Sequence, residues 1–134
     1  KGRLLISGAH FASDMKSDSE KSFAKKQLHC TYRCDHGSKN GSVRVNNRQL
    51  ETGKYQFNVS PNEERIHTEN PECILPTNGG IGIATYGDTN MNAAVAYDGT
   101  KDRKGKTLCW AFMLESSKDF DTLYGNSIDW LLNK

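Results

Sequence analysis

Apolar residues are arranged in three ways along this chain. Leu4-Leu5-Ile6 and Leu108-Cys109-Trp110-Ala111-Phe112-Met113-Leu114 are unbroken runs, the pattern of strands buried on both faces. Residues 42–46 and 54–59 alternate apolar with polar, as half-exposed strands do. Phe120, Leu123, Tyr124, Ile128, Leu131 and Leu132 recur at helical spacing, which predicts a closing helix over about 119–132. Gly125 falls inside it and weakens it by roughly 1 kcal/mol relative to Ala.

Turn chemistry fills in the rest. Ser17 or Asp18 is placed to cap a helix over 19–28, with acidic residues first, lysines last, and Phe23 and Leu28 facing the core. Residues 30–34 are β-prone. Turns follow at 35–41 and 46–49, so the strands at 42–60 read as an antiparallel excursion at one sheet edge. The stretch 60–80 reads as loop, with 73–76 a short apolar tether. Strands at 81–86 and 93–97 come next, and the tip 98–105 folds the second back onto 106–114 as a hairpin. The whole reads as a single α/β domain over 1–134, with Leu4–Ile6 at the centre of its sheet.

Composition narrows the function classes. Leu, Ile, Val and Phe make up only about a fifth of the 134 residues, near the disordered range. The net charge of +2 lacks the excess that disorder requires, so a folded, loop-rich domain is expected. Basic residues are dispersed, which gives no nucleic-acid footprint, and no apolar run is long enough to span a membrane. Cys30-x3-Cys34 lies near His29 and His36, but no second short-spaced pair completes a zinc site, so no metal is expected. Cys109 reads as an inert core thiol. One disulfide among Cys30, Cys34 and Cys73 is open to an exported protein. Asn40-Gly41-Ser42 and Asn58-Val59-Ser60 match glycosylation acceptors, a short pattern that recurs by chance.

Candidate chemistry gathers after the first strand, because ligands of α/β sheets sit at the carboxyl ends of strands. His10 is a candidate general base there, with Asp14 and Glu115 as partners. Ser7-Gly8 resembles an anion cradle but lacks the Gly-x-Gly-x-x-Gly spacing of a nucleotide site, and no cofactor is expected. Tyr86 and Tyr97 are candidates for stacking on a sugar ring, against packing in the core. Asp98-Gly99 is a candidate site aspartate that fits a hairpin turn better.

The segments GRLLISGAHFASDM, AAVAYDG, LCWAFMLES and DTLYGNSIDWLL resemble, in that order, the α/β domain of secreted bacterial proteins labelled xanthan lyase. That domain is similar to class I glutamine amidotransferases, which implies a three-layer, flavodoxin-like parallel sheet. Their nucleophilic cysteine lies in a Gly-x-Cys-x-Gly turn. The matching run here is Gly8-Ala9-His10-Phe11-Ala12, which puts His10 in its place. Their Phe-His-Pro-Glu run matches Phe112-Met113-Leu114-Glu115, so the catalytic histidine is replaced by Met113 and the glutamate is kept. The resemblance thus implies that amidotransferase chemistry is absent. It also implies a strand and helix ahead of Lys1, making the chain the C-terminal part of a larger domain. The expected protein is secreted, periplasmic or at the cell surface. It is a non-catalytic accessory module of a polysaccharide-processing protein, with other domains of the same chain and polysaccharide as candidate partners. The alternatives are a hydrolase or lyase using His10 with Glu115 or Asp14, and a docking domain.

Overall fold

Among the described residues five strand pairings build the main sheet, and one of them is parallel. The computed structural model describes residues 2–46, 49–60 and 66–133. The middle of the expected turn at 46–49 and the loop segment 61–65 lie outside them. The main sheet comprises β1 (Arg3–Ser7), β3 (Ser42–Val45), β4 (Gly53–Gln56), β6 (Ile81–Tyr86), β7 (Asn92–Asp98) and β8 (Lys106–Trp110). Their spatial order is β1-β8-β7-β6-β3-β4. A second, antiparallel sheet joins β2 (Cys30–Cys34) to β5 (Cys73–Pro76).

This overturns the expected three-layer, flavodoxin-like parallel sheet. The main sheet is mixed and strongly curled, a half-barrel rather than an open parallel sheet between two helical layers. The connections decide the matter. A parallel pair needs a crossover of about a dozen residues or more. The segments 87–91 and 99–105 that join β6 to β7 and β7 to β8 are too short for one, so both pairs are antiparallel. Register shifts between β6 and β7 add local twist and help the sheet curl. β1, which is followed by α1 and then by β2 of the small sheet, lies parallel to its neighbour β8.

β1 also lies at an edge of the sheet rather than at its centre, and Leu4 is 42 % exposed. The central strand is the small-residue β7, whose buried alanines let neighbouring backbones come close. The alternating pair β3–β4 does form the expected antiparallel excursion at the opposite edge. The apolar tether at 73–76 is a strand, β5, completed by a partner far away in sequence.

The first helix, α1 (Asp18–Phe23), starts on Ser17. Its hydroxyl accepts from the Glu20 N–H at 3.2 Å, and the Glu20 carboxylate accepts from the Ser17 N–H at 3.0 Å. The helix widens into a π turn over Ala24–Leu28 and stops at His29, which has a left-handed backbone with φ 60°. Leu28 is buried as expected. Phe23 faces outward instead, 48 % exposed.

Alternation along the strands sorts the core into two faces. Leu108 and Trp110 of β8 pack with Ala94 and Ala96 of β7 against the closing helix α2 (Phe120–Leu132) through Leu123, Trp130 and Leu131. Cys109 and Val95 point the other way, onto Ala24, Leu28, Cys30 and Ile74 of the π turn and the small sheet. Buried Lys106 holds the carboxyl end of α2. Its Nζ donates to the Trp130 and Asn133 carbonyls, both at 2.9 Å, where the helix dipole favours a cation. The Arg3 Nε reaches the Leu131 carbonyl at 2.5 Å. Gly125 faces open space, so packing does not demand a glycine in α2.

Candidate functional site

The tip of β1 is stitched to the chain leaving β8. The Ser7 hydroxyl donates to the Phe112 carbonyl at 3.2 Å and accepts from the Leu114 N–H at 2.8 Å. The Gly8 N–H donates to the Trp110 carbonyl. Both residues are thereby engaged in holding the fold. Beyond them the chain coils into a turn closed by the Asp14 N–H and the Ser13 hydroxyl, each donating to the His10 carbonyl. The turn lifts the His10 ring to the surface.

Under that ring lies a residue with no place among the expected partners. The His10 Nδ1 is 3.4 Å from Oε2 of Glu72; the His10 side chain is 56 % exposed and that of Glu72 only 1 %. The Glu72 backbone is fixed on both sides. Its N–H donates to the Ala111 carbonyl at 3.1 Å, and its carbonyl accepts from the Tyr86 hydroxyl at 2.5 Å. Both carboxylate oxygens are enclosed and lack a well-formed hydrogen bond. The hydroxyl and N–H of Ser13 and the His10 ring approach more loosely. Burial raises the Glu72 pKa above its ordinary 4.5, and the Ser13 and His10 contacts offset only part of that.

A carboxylate facing Nδ1 favours the tautomer protonated there. This leaves Nε2 as the basic atom, on the far edge of an exposed ring. The arrangement can accept a hydrogen bond from a ligand or take a proton from one. The raised pKa also has a consequence for stability. The folded protein keeps the Glu72 proton to higher pH than the unfolded chain does. Between 4.5 and the raised value the folded state binds more protons, so stability falls as pH rises through that window. Glu72→Gln removes this loss. In urea unfolding, the variant gains on the wild type as pH rises from the ordinary carboxylate range toward neutrality. A difference that stayed constant with pH would show that Glu72 titrates alike in both states.

The other candidates are dispersed. Asp14 is exposed beside His10, joined to it through the backbone turn. Glu115 is exposed on a single 3-10 turn, Leu114–Ser116. It lines a hollow of about 320 Å³ with Asn58, Ile66, Ser116, Ser117 and Lys118, a set that includes neither His10 nor Asp14. Tyr86 is fully buried, its hydroxyl pKa raised by burial, so its ring is out of reach of a sugar. Tyr97 is half-buried and stacks on His29 with ring centroids 3.4 Å apart. It lines a cavity of about 550 Å³ with Leu4, Phe23, Lys26, His29 and Lys104 among the others. Asp98 accepts from the N–H and hydroxyl of Thr100, which lowers its pKa and marks a turn-holding role.

Cys34 is bonded to Cys73, whereas Cys30 and Cys109 are free and buried. Among the described residues no three His, Cys, Asp or Glu side chains are grouped to hold a metal, and no helix is long and apolar enough to cross a membrane. The Asn58 side-chain nitrogen is buried, which leaves Asn40 as the accessible glycosylation acceptor of the two.

Sequence reasoning missed Glu72. Its only signal was a carboxylate set directly against the apolar run Cys73-Ile74-Leu75. Fold and bonding together define a mixed α/β domain with an internal disulfide, consistent with an oxidising, extracytoplasmic location. Compared with family models, curated proteins and solved structures, the chain matches none.

Proposed function

We propose that this chain is a ligand-binding accessory module of an exported polysaccharide-processing protein, with the His10–Glu72 pair as its recognition group. The observation that carries the reading is an exposed imidazole oriented by a fully buried carboxylate at 3.4 Å. A buried carboxylate without good hydrogen bonds is costly and marks a candidate functional site. The likeness of the sequence segments to secreted proteins labelled xanthan lyase, together with the Cys34–Cys73 disulfide, supports the exported setting.

Binding is favoured over catalysis because the tip offers one titratable pair in mutual contact. Acid–base cleavage of a glycosidic bond ordinarily uses two groups flanking it. Neither free cysteine is available as a nucleophile, since both are fully buried. The same His10–Glu72 geometry does favour one second reading, a hydrolase or lyase in which Nε2 of His10 is the general base.

His10→Ala in the whole protein separates the two. The expected result is polysaccharide affinity reduced about tenfold, the worth of one hydrogen bond to a charged or strongly polar group, with turnover at saturating substrate unchanged. A fall in turnover of about a hundredfold or more with affinity retained would establish the general base instead. No change in either would remove the site.

A further inference from the structure

We propose that Cys30 and Cys109 form a second disulfide that ties the small β2–β5 sheet to the main sheet. Cys30 opens β2 and Cys109 sits in mid-β8, paired with Ile6 on one side and Val95 on the other. Both are fully buried in one apolar cluster, among Ala12, Ala24, Leu28, Ile74 and Ala111. The two thiols lie beside each other in that cluster, close enough for each to act on the other's ionisation. Cys109 Sγ also lies 3.9 Å from the carbonyl of Leu28, two positions before Cys30, so the backbone leading into β2 crosses directly over Cys109.

The existing bridge shows what this second one adds. Cys34–Cys73 joins β2 to β5 and so closes the small sheet on itself. It makes no covalent link to the half-barrel. Cys30 lies at the opposite end of the same strand, where the small sheet meets β8. A location that oxidises Cys34 and Cys73 supplies the same disulfide donors to Cys30 and Cys109 while the chain is folding, before burial shuts them away.

The chemistry is ordinary exchange. The Cys30 thiolate attacks one sulfur of a donor disulfide, releasing a first donor thiol and leaving a mixed disulfide on Cys30. Cys109 gives up its proton, and its sulfur attacks the Cys30 sulfur, expelling the second donor thiol. Two protein S–H bonds are lost, one S–S bond forms, and the donor is reduced to two thiols. The same exchange balances with the two thiols in the opposite order.

The test refolds the full chain in a mixture of reduced and oxidised glutathione until Cys34–Cys73 has closed, which is the internal control. The sample is then acid-quenched, denatured, alkylated with iodoacetamide, weighed intact and mapped by peptides. The expected result is no alkylated cysteine, a mass two hydrogens lower for each of two disulfides, and a peptide pair joining Cys30 to Cys109. Alkylation of both Cys30 and Cys109 beside a closed Cys34–Cys73 bridge overturns the proposal, as does any peptide linking Cys30 to Cys34 or Cys73. In Cys109→Ser, the expected result is a single alkylated residue, Cys30. Protection of Cys30 in that variant would show that its partner lies elsewhere.

Discussion

Replacing Cys34 and Cys73 together by serine lowers the stability of the domain by about 4 kcal/mol, read as a shift of the urea midpoint at constant slope. The two Cα atoms are 5.2 Å apart, within the range that a disulfide spans without moving the backbone. The bridge closes a segment with a sequence separation of 39, and loop-closure entropy for such a segment gives the quoted figure. Set against a total of about 5–15 kcal/mol for a domain, that is a large share. The small sheet is also the part least able to stand alone, because isolated two-strand pairings are marginal in water. Met91 adds a packing contribution at the bridge, with its Sδ 3.4 Å from the Cys34 sulfur and 3.6 Å from that of Cys73. The double variant leaves no unpaired thiol at the site to exchange with Cys30. Glu72 directly precedes Cys73, so releasing the bridge also loosens the carboxylate beneath His10. A stability loss below about 1 kcal/mol would show that the unfolded chain already keeps the two ends of the segment together.

What could be read from the sequence follows the range of the interactions. The cap at Ser17, the alternating β3–β4 pair and the closing helix depend on neighbours a few residues away, and all three are present. The position of β1 was not legible, because Leu4-Leu5-Ile6 has the same composition at an edge as at a centre. The short connections 87–91 and 99–105 are both visible in the sequence, and the tip at 98–105 does predict a hairpin. The family resemblance, however, supplied a parallel sheet that those lengths exclude. β5 looked like a tether because its partner β2 lies about forty positions away. The site shows the same division. His10 was found from its place after a strand. Glu72 was not, because its burial is made by Tyr86, Ala111 and the 10–13 turn, brought together only by the fold. Glu115 is matched through the run Phe112-Met113-Leu114-Glu115 that the family resemblance supplies, and the observed partner of His10 comes from a different segment.

Phe112→Ala is expected to cost about 3–5 kcal/mol, the usual range for deleting a fully buried aromatic ring. Phe112 has no exposed surface and sits where three aromatic residues converge. It stacks on Phe57 with centroids 4.4 Å apart and an interplanar angle of 12°. Trp110 meets it edge-on at 5.7 Å and Tyr86 at 6.4 Å. These rings pack in one core cluster, and rings of this size leave a void that backbone-anchored neighbours fill poorly. Trp110 is held by its Nε1–H to the Ser127 hydroxyl, and Tyr86 by its hydroxyl to the Glu72 carbonyl. The Phe112 carbonyl still accepts from Ser7 in the variant, so the loss reports the ring rather than the β1 tip. Phe23→Ala is the control. Phe23 is 48 % exposed on α1, and its removal should change stability by no more than about 0.5 kcal/mol. Unfolding followed by tryptophan fluorescence reads both, since Trp110 touches the deleted ring directly. A Phe112→Ala cost near that of the control would mean that Phe57 and Tyr86 swing into the vacated volume. Because Tyr86 anchors Glu72, such a movement would also displace the carboxylate under His10, so the pH dependence of Glu72 measures whether it has occurred.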